Sequence, residues 1–437
     1  MSQQPARPPL LESLLDAPLP QGAAWLDAIR RENLDALSAT GLPDSRNEAW
    51  KYTALRALGQ RRFVQGDAQA STRDIDVAAL SLPGVAGPRL VFVNGVFRED
   101  LSQLDNLPDG LEVLPLSRAL AQDDEPLRFA LGHRYREAAD AFAQLNAAYA
   151  QEGVVLRVAA GAVIEQPVHF SFIGAFAEQA AWHLRHVIAL GDGAELSLVE
   201  HHLGFGDAQQ LATSVADIVL GERARLDMTL LQQAATDASL IRRTSVQLGV
   251  AAHATLNVVE LGGALVRHDL HATIKGDNAR LDTRGVFALR GRQHVDTQLS
   301  IRHDALNSAS ESIWRGVADE RSRGVFRGAI LVAEGADGSD ASLSNKNLLL
   351  SSQAEIDTKP ELEIYADEVK AAHGATVGQL DERSLFYLRS RGIPLAEARS
   401  LLTAAFCRAV FASMPNETLR DHISQLLLLQ LPVDQVA

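Results

Sequence analysis

Gly191-Asp192-Gly193-Ala194-Glu195-Leu196 ends in a small-x-Leu triplet that recurs along this chain. The triplets Ala194-Glu-Leu196, Ala224-Arg-Leu226 and Ala254-Thr-Leu256 begin 30 residues apart, and Ala279-Arg-Leu281 follows after 25. A strand start that recurs at a fixed period of this length is typical of the stacked rungs of a solenoid. The repeat therefore predicts a parallel β-helix.

The sequence around the repeat supports this prediction. From Val154 to about Ala366 apolar and polar residues alternate, and Gly, Asp and Asn break the alternation at short intervals. Each rung would place Leu, Val or Ile inward and charged residues outward. A β-sandwich also gives turn signals at short spacing and is the alternative fold. The equal steps favour the β-helix, which we place at residues 153–373.

Helical patterns occupy both ends of the chain. Residues 1–152 are predicted to be mostly helical, with a capping box at Ser45 and Glu48 and a helix at about 133–151. An Asn-Gly turn within residues 90–98 predicts a short hairpin. Residues 374–437 are predicted to form a C-terminal helical domain, which packs on the β region or leaves an apolar face for a partner.

Composition restricts the partners and the compartment. Of 437 residues, 46% are hydrophobic and 22% charged, as in folded globular proteins. The formal net charge of -14 argues against nucleic acid or an anionic membrane surface as a partner. The single cysteine, Cys407, excludes an intramolecular disulfide and fits a reducing compartment. With no apolar leader segment in its first residues, we expect a cytoplasmic protein.

The sequence lacks the motifs of several common enzyme classes. It has no Gly-x-x-x-x-Gly-Lys-Ser/Thr loop, no Gly-x-Ser-x-Gly elbow and no His-Glu-x-x-His pair. Cys407 follows an apolar run on a predicted helix, where a small buried hydrophobe is a simpler role than a reactive thiol.

Histidines are the remaining candidates for chemistry. Several lie close together in sequence and would form a metal-binding ladder if they aligned across rungs about 4.8 Å apart. The simpler alternative places them at outward polar positions or at a dimer contact. They are His183, His186, His201, His202, His253, His268, His271 and His294.

His373 differs in its setting. It follows the last predicted strand at the start of helical sequence, and Gly374 after it permits close approach by a partner backbone. One histidine makes a poor metal site, so a metal-binding role for His373 requires ligands from another chain. A purely structural role is the alternative.

Five segments of the chain resemble a known family, and the resemblance covers nearly the whole chain. These segments are Lys346-Asn-Leu-Leu-Leu-Ser351, Ile356-Asp-Thr-Lys-Pro-Glu-Leu-Glu-Ile364, His373-Gly-Ala-Thr-Val-Gly378, Tyr387-Leu-Arg-Ser-Arg-Gly-Ile393 and Arg46-Asn-Glu-Ala-Trp-Lys-Tyr-Thr53. They resemble the SufB/SufD family of iron–sulfur cluster assembly scaffolds, the last of them its SufD branch in particular.

The resemblance implies a fold and a set of partners. The family fold is mainly β, a right-handed parallel β-helix between helical N-terminal and C-terminal domains. SufD chains pair with SufB, and each binds one SufC ATPase through its C-terminal helices. ATP would bind SufC, a transient cluster would form at the SufB junction, and this chain would be a non-catalytic scaffold that alone binds no cofactor. A flavin in the complex and self-pairing of the isolated chain stay open.

The resemblance also assigns candidate site residues. His373 falls at the family position of an iron or cluster ligand facing SufB. Some family members carry a cysteine two residues earlier, where this chain has Ala371. Because clusters prefer thiolate ligands, the sulfur ligands would come from elsewhere. The SufC-docking surface would lie around Phe386, Tyr387, Leu388, Arg389, Arg391, Ile393 and Leu395, with the division between partner contact and internal packing left open.

Two alternatives to the scaffold hypothesis follow from the same residues. A SufB chain would supply cluster-binding cysteines, and Cys407 alone argues against that identity. A β-helix enzyme of the lyase type is expected to carry a secretion signal, and an acyltransferase a strict six-residue repeat. Neither is evident in the sequence.

Overall fold

Two long sheets, each built from alternate strands, form the centre of the molecule. The structure is a computed structural model that describes residues 7–66, 75, 77–122, 124–175 and 178–430. The outermost residues of both predicted terminal domains, 1–6 and 431–437, lie outside the described residues. The strands are, in chain order, β1 (Val64–Gln65), β2 (Arg89–Val93), β3 (Val96–Phe97), β4 (Leu111–Pro115), β5 (Val154–Val158), β6 (Val163–Ala175), β7 (Ala180–Leu190), β8 (Glu195–Phe205), β9 (Gln210–Leu220), β10 (Arg225–Gln233), β11 (Ser239–Leu248), β12 (His253–Glu260), β13 (Leu265–Ile274), β14 (Arg280–Leu289), β15 (His294–His303), β16 (Ala309–Ala318), β17 (Arg323–Val332), β18 (Asp340–Leu349), β19 (Glu355–Ile364) and β20 (Lys370–Gly378).

The order of strands confirms the predicted parallel β-helix. Sheet A runs β19-β17-β15-β13-β11-β9-β7-β5-β4, and β1 also pairs with β7. Sheet B runs β20-β18-β16-β14-β12-β10-β8-β6-β2-β3. From β5 onward each turn of the chain adds one parallel strand to each sheet, which is the topology of a β-solenoid. Leucine, valine and isoleucine side chains from both sheets fill the interior.

The register of sheet B shows that the repeat is less regular than predicted. Leu226 aligns with Leu196, 30 residues before it, but with Ala254, 28 residues after it. Ala254 in turn aligns with Leu281, 27 residues further on. The predicted alignment of the third triplet is therefore wrong by two residues. A shift of two preserves the direction of every side chain, so Leu256 still points inward and is buried.

A recurring turn from sheet A to sheet B explains the alanines of three triplets, Ala194, Ala224 and Ala279. The next-to-last residue of this turn has a positive φ, for example 66° at Gly193 and 61° at Asn278. The residue that follows, Ala194 or Ala279, is fully buried. Successive turns stack on one another, so this corner accepts only a small side chain.

The N-terminal region packs on the outer face of sheet A. Trp50 and Phe142 share an apolar cluster with Leu211, Ile241 and Leu265 of that sheet. Its helices are α1 (Pro9–Leu15), α2 (Ala24–Thr40), α3 (Arg56–Gly59), α4 (Leu116–Leu120), α5 (Glu125–Leu131) and α6 (Ala141–Tyr149).

Local predictions in this region had mixed outcomes. The Asn-Gly hairpin is confirmed, because β2 and β3 pair antiparallel around Asn94. The predicted capping box is wrong. Residues Glu48–Trp50 form only a single 3-10 turn, and its cap is Asn47, whose side chain accepts the Ala49 N–H at 3.1 Å. The helix expected at about 133–151 is shorter, beginning at Ala141.

The C-terminal region consists of α7 (Glu382–Ser390), α8 (Leu395–Arg408) and α9 (Glu417–Gln430). Helices α8 and α9 pack on the outer face of sheet B, where Cys407 and Ile423 share an apolar cluster with Val259 and Val286. Cys407 is fully buried, and burial raises the pKa of its thiol to about 12, so it behaves as a small hydrophobe. Within the described residues, no helix is long and apolar enough to cross a membrane.

Candidate partner-binding site at the open end of the solenoid

The two ends of the solenoid differ. At the N-terminal end β4 pairs antiparallel with β5, and the β2–β3 hairpin extends sheet B beyond β6. At the other end the sheets stop at β19 and β20, and no described strand follows either of them. Of the residues in these two strands only Ile356 is buried. We call β19 and β20 together the open end.

Strand β20 presents unpaired main-chain groups along its free edge. The Lys370 N–H donates to the Ser339 carbonyl at 2.9 Å, so even-numbered residues of β20 bond to β18. In a parallel ladder the residues between them point the other way. The N–H and carbonyl groups of this free row belong to Ala371, His373, Ala375 and Val377. The row contains no proline, so it can pair with a further strand.

Strand β19 presents a different edge. The Glu355 N–H donates to Ser322 and the Tyr365 N–H to Val332, so odd-numbered residues of β19 bond to β17. Pro360 therefore falls in the middle of the free row, where it supplies no N–H. Proline at an edge position interrupts pairing with an added strand. The open end thus combines one continuous edge with one interrupted edge.

His373 lies within β20, not at the junction with helical sequence as predicted. The strand continues five residues beyond it to Gly378, so the predicted domain boundary falls inside a strand. His373 aligns with Leu343, whose side chain is buried in the interior. The exposed imidazole therefore continues an interior column at the open end. A Cβ on Gly374 would meet no atom within 4 Å, so this chain itself does not require glycine there.

Within the described part of the chain, His373 belongs to no cluster of three or more potential metal ligands. Among the described residues, no group of three or more His, Cys, Asp or Glu side chains is arranged to hold a metal ion. Ala371 occupies the position two residues earlier, on the same face of β20. The role of His373 as an iron or cluster ligand remains a prediction, and this chain would contribute one imidazole to such a site.

The clustered histidines do not form a ladder. The side chains of His183 and Thr213 form a hydrogen bond of 2.8 Å between β7 and β9. Those of His268 and Thr244 form one of 2.9 Å between β13 and β11. Burial lowers the pKa of His183 and of His186 to about 3. The alternative of solvated outward positions is wrong for the five that are buried, whereas the His253 side chain is 38% exposed. The buried five are His183, His186, His201, His202 and His268.

A buried ionic network in the interior was not predicted from the sequence. Glu200 forms an ion pair with Arg242 across the two sheets, and its carboxylate lies 2.6 Å from Nε2 of His202. Burial alone would raise the pKa of Glu200, but Arg242 and His202 lower it well below its ordinary value. The sequence contained one indication of this network: a charged residue at an inward position of a strand, next to leucine on the same face.

The N-terminal motif of residues 46–53 attaches to sheet A and reaches the open end. The guanidinium of Arg267 stacks on Trp50 at 3.9 Å and donates to the Ala49 carbonyl at 2.8 Å. From this buried anchor the carboxylate of Glu48 extends to Nζ of Lys359 on β19, 2.6 Å away. The motif is recognisable in the sequence, but its position beside the last strand is not.

Helix α7 carries four of the predicted docking residues, Phe386 to Arg389, and has no buried residue of its own. Phe386 and Tyr387 are 74% and 56% exposed, and Arg391 lies over the Tyr387 ring at 5.1 Å. Leu395, at the start of α8, is also exposed. Of the other predicted docking residues, Arg389 is exposed while Leu388 and Ile393 are half-buried.

Two family models together match most of the chain. Residues 172–406 match the family model described as SUF system FeS cluster assembly, SufBD core domain. Residues 19–170 match the model of the SufBD protein N-terminal region. The chain therefore belongs to the SufBD family of iron–sulfur cluster assembly proteins.

Relatives from several organisms match along most of their length. The iron–sulfur cluster assembly protein SufD of Escherichia coli is 31% identical over 92% of this chain and 92% of its own. A SufBD family protein of Synechocystis is 31% identical over 91% of this chain and 89% of its own. Protein ABCI7 of the Arabidopsis thaliana chloroplast is 26% identical over 96% of this chain. The predicted similarity to SufD is confirmed.

Proposed function

We propose that this chain is a non-catalytic scaffold subunit of a SufBCD-type complex, in which it pairs with SufB through the open end. The observation that carries the proposal is the unpaired row on β20. An exposed strand edge invites association, and native proteins cover such edges. A chain of the same fold offers a matching edge, so it is the natural partner for sheet extension. Pairing of two copies of this chain would use the same edge.

We also propose that α7 docks the SufC ATPase. The helix projects from the body of the protein, since it has no buried residue. Its exposed aromatic side chains, with Arg389 and Arg391 nearby, are the residue types that dominate binding energy at protein interfaces. Asp381 caps the helix by accepting two backbone N–H groups, so α7 is ordered without partner contact.

A cluster at the SufB junction would be cargo of the complex and not a resident cofactor of this chain. His373 would offer its imidazole beside the pairing edge, and sulfur ligands would come from the partner. ATP would bind the SufC partner. Membership of the SufBD family favours this scaffold over the alternative of a β-helix lyase or acyltransferase acting alone.

Co-expression tests the proposal directly. This chain, produced with a SufB and a SufC, is expected to elute as one complex containing all three proteins, with its mass measured by light scattering. SufC produced with this chain alone should bind through α7 without SufB. If the chain elutes free of both partners under every condition, the scaffold proposal is wrong.

A further inference from the structure

One buried carboxylate in the interior of the solenoid has no basic partner. Four carboxylates are buried among the described residues, and three of them lie within ion-pair distance of an arginine. The fourth, Glu260, forms no ion pair within the part of the chain that the structure describes. An unpaired carboxylate is costly to bury in its ionised form, so the protonation of Glu260 needs an explanation. The three pairs are Glu200 with Arg242, Asp296 with Arg267 and Asp282 with Arg280.

Glu260 is the last residue of β12 and points into the interior, where it is 1% exposed. The residues aligned with it on the two neighbouring strands, Gln232 and Phe287, carry no charge. The hydroxyl of Thr297 on β15 donates to the Glu260 carboxylate at 2.7 Å. One hydrogen bond does not replace the water that an ionised carboxylate loses on burial, so this environment favours the neutral acid.

The charges near Glu260 do not reverse this preference. Burial, aided by the negative charge of Asp296, raises the pKa of Glu260 to about 7. The hydrogen bond from Thr297 and the positive charge of Arg242 lower the pKa, but less strongly. Arg242 is already paired with Glu200. The carboxyl group of Glu260 therefore exchanges its proton with solvent close to neutral pH.

The corner that follows β12 holds the end of helix α9. The carbonyl of Leu261 accepts a hydrogen bond of 2.8 Å from the side chain of Gln430, the last residue of α9. The side chain of Gln232 accepts the N–H groups of Leu261 at 3.2 Å and of Gly262 at 3.1 Å. Gly262 has a φ of 112°, a conformation that favours glycine. The contact that seats the end of α9 thus lies directly beside the buried acid.

We propose that Glu260 is a pH-dependent switch that couples the interior of the solenoid to the seating of α9. While Glu260 is protonated, its rung packs without an unpaired charge. Loss of the proton to solvent, as the pH rises through neutrality, leaves an anion in the interior and destabilises the rung and the corner at Leu261. Because Gln430 binds this corner, α9 then separates more readily from sheet B.

The test compares the wild-type chain with Glu260→Gln, which keeps the shape of the side chain and removes its proton equilibrium. Urea unfolding is measured from about pH 5 to about pH 8.5, and the ratio of the two unfolding constants isolates Glu260, since the other titrating groups are common to both chains. In the unfolded chain Glu260 ionises near its ordinary pKa of 4.5. The ratio of the wild-type constant to that of the variant should therefore rise about tenfold per pH unit up to about pH 7 and level off above it.

Two further variants identify the cause of this pH dependence. Glu200→Gln is the matched control, because it replaces a buried carboxylate that has an arginine partner. It should unfold more readily than wild type throughout this pH range, with no such rise. Thr297→Val removes the hydrogen bond to the Glu260 carboxylate and should move the level region to higher pH. A purely structural role of Glu260 would not produce that shift.

Hydrogen exchange of α9 tests the coupling itself. At each pH the amides of α9 are compared between wild type and Glu260→Gln, so the intrinsic effect of pH on exchange cancels. Exchange should be nearly equal in the two chains at about pH 5 and faster in wild type at about pH 8.5.

Three outcomes would overturn the proposal. A ratio of unfolding constants that stays constant with pH would show that Glu260 does not titrate in this range. Equal exchange of α9 in the two chains at the highest pH would show that titration of Glu260 is not coupled to this helix. If Glu260→Gln does not fold, wild type and Thr297→Val decide the matter, and identical pH dependence of their unfolding would refute the switch.

Discussion

Ala375→Pro is the substitution that tests pairing through β20 most cleanly. The Ala375 N–H belongs to the free row, so its loss removes no hydrogen bond within this chain. Proline is tolerated at such edge positions, as Pro360 on β19 shows, and the extended conformation that it imposes on Gly374 suits a strand. The variant should therefore fold like wild type but present a broken edge to the partner.

The size of the effect follows from one main-chain contact. Without the Ala375 N–H, a partner carbonyl is buried unsatisfied, which costs about 1–3 kcal/mol, and the proline ring obstructs the approach of the strand. A total of roughly 2–4 kcal/mol corresponds to a loss of affinity of about 30-fold to about 1,000-fold. Self-association of the isolated chain, where it occurs, should weaken in parallel.

The assay needs affinity and stability measured on the same variants. Titration calorimetry with a SufB-type partner gives the affinity, and thermal unfolding gives the stability of the chain alone. Thr376→Pro is the matched control, since the Thr376 N–H bonds to β18 and its loss should lower the melting temperature. An Ala375→Pro chain that binds the partner as tightly as wild type would refute pairing through this edge.

Three further predictions concern the ligand, the docking helix and pH. His373→Ala should leave the complex assembled and lower the iron and sulfide retained after reconstitution; unchanged cluster content would make His373 structural. Phe386→Ala with Tyr387→Ala should weaken SufC binding by about 2 kcal/mol or more without changing the melting temperature, and intact binding would place the dock elsewhere. Stability in urea should fall from pH 7.5 to 5, by about 1.4 kcal/mol per pH unit below pH 6.5 for each of His183 and His186. In the unfolded chain these histidines take up protons near pH 6.5, whereas burial holds their pKa in the folded chain at about 3. Their contribution to the free energy of unfolding is therefore fully present above pH 6.5 and decreases below it. A free energy of unfolding that did not change with pH would contradict the burial of neutral imidazoles.

The structure also changes how the docking helix should be tested. Deleting everything after Gly378 would remove α7, but it would also remove α8 and α9. These helices cover Val259 and Val286 on the outer face of sheet B. Such a truncation would expose an apolar face and confuse lost docking with lost folding. Point substitutions on α7 avoid this problem.

The fold was predictable because its signal is local and repeated. Inward aliphatic residues and small buried corner residues recur in most rungs, so alternation and period were enough to indicate a β-solenoid. Exact register was not predictable, because turn lengths differ between rungs and a slip of two residues keeps the alternation intact. That is why Ala254 could be aligned wrongly while the inward direction of Leu256 was still correct.

The site was predictable only in part, because its character depends on what covers each surface. Gly374 suggested that β20 ended at His373, but an edge strand has one neighbour and tolerates glycine where nothing packs. Conversely, His183 and His201 looked solvated on alternation alone, and they are buried because the terminal regions cover the outer faces of both sheets. Burial of this kind comes from segments distant in sequence.

Two features that a partner chain could complete lie at the same end of the solenoid. Among the described residues no strand follows β19 or β20 there, and the imidazole of His373 belongs to no cluster of three or more potential metal ligands. A solenoid could close its own end with a short helix or hairpin, as the β2–β3 hairpin does at the opposite end. Here β20 instead keeps a continuous row of free main-chain groups, while Pro360 interrupts the free row of β19. One partner that paired with β20 would cover the sheet edges and bring its own ligands to His373, so assembly and completion of the metal site would be a single event.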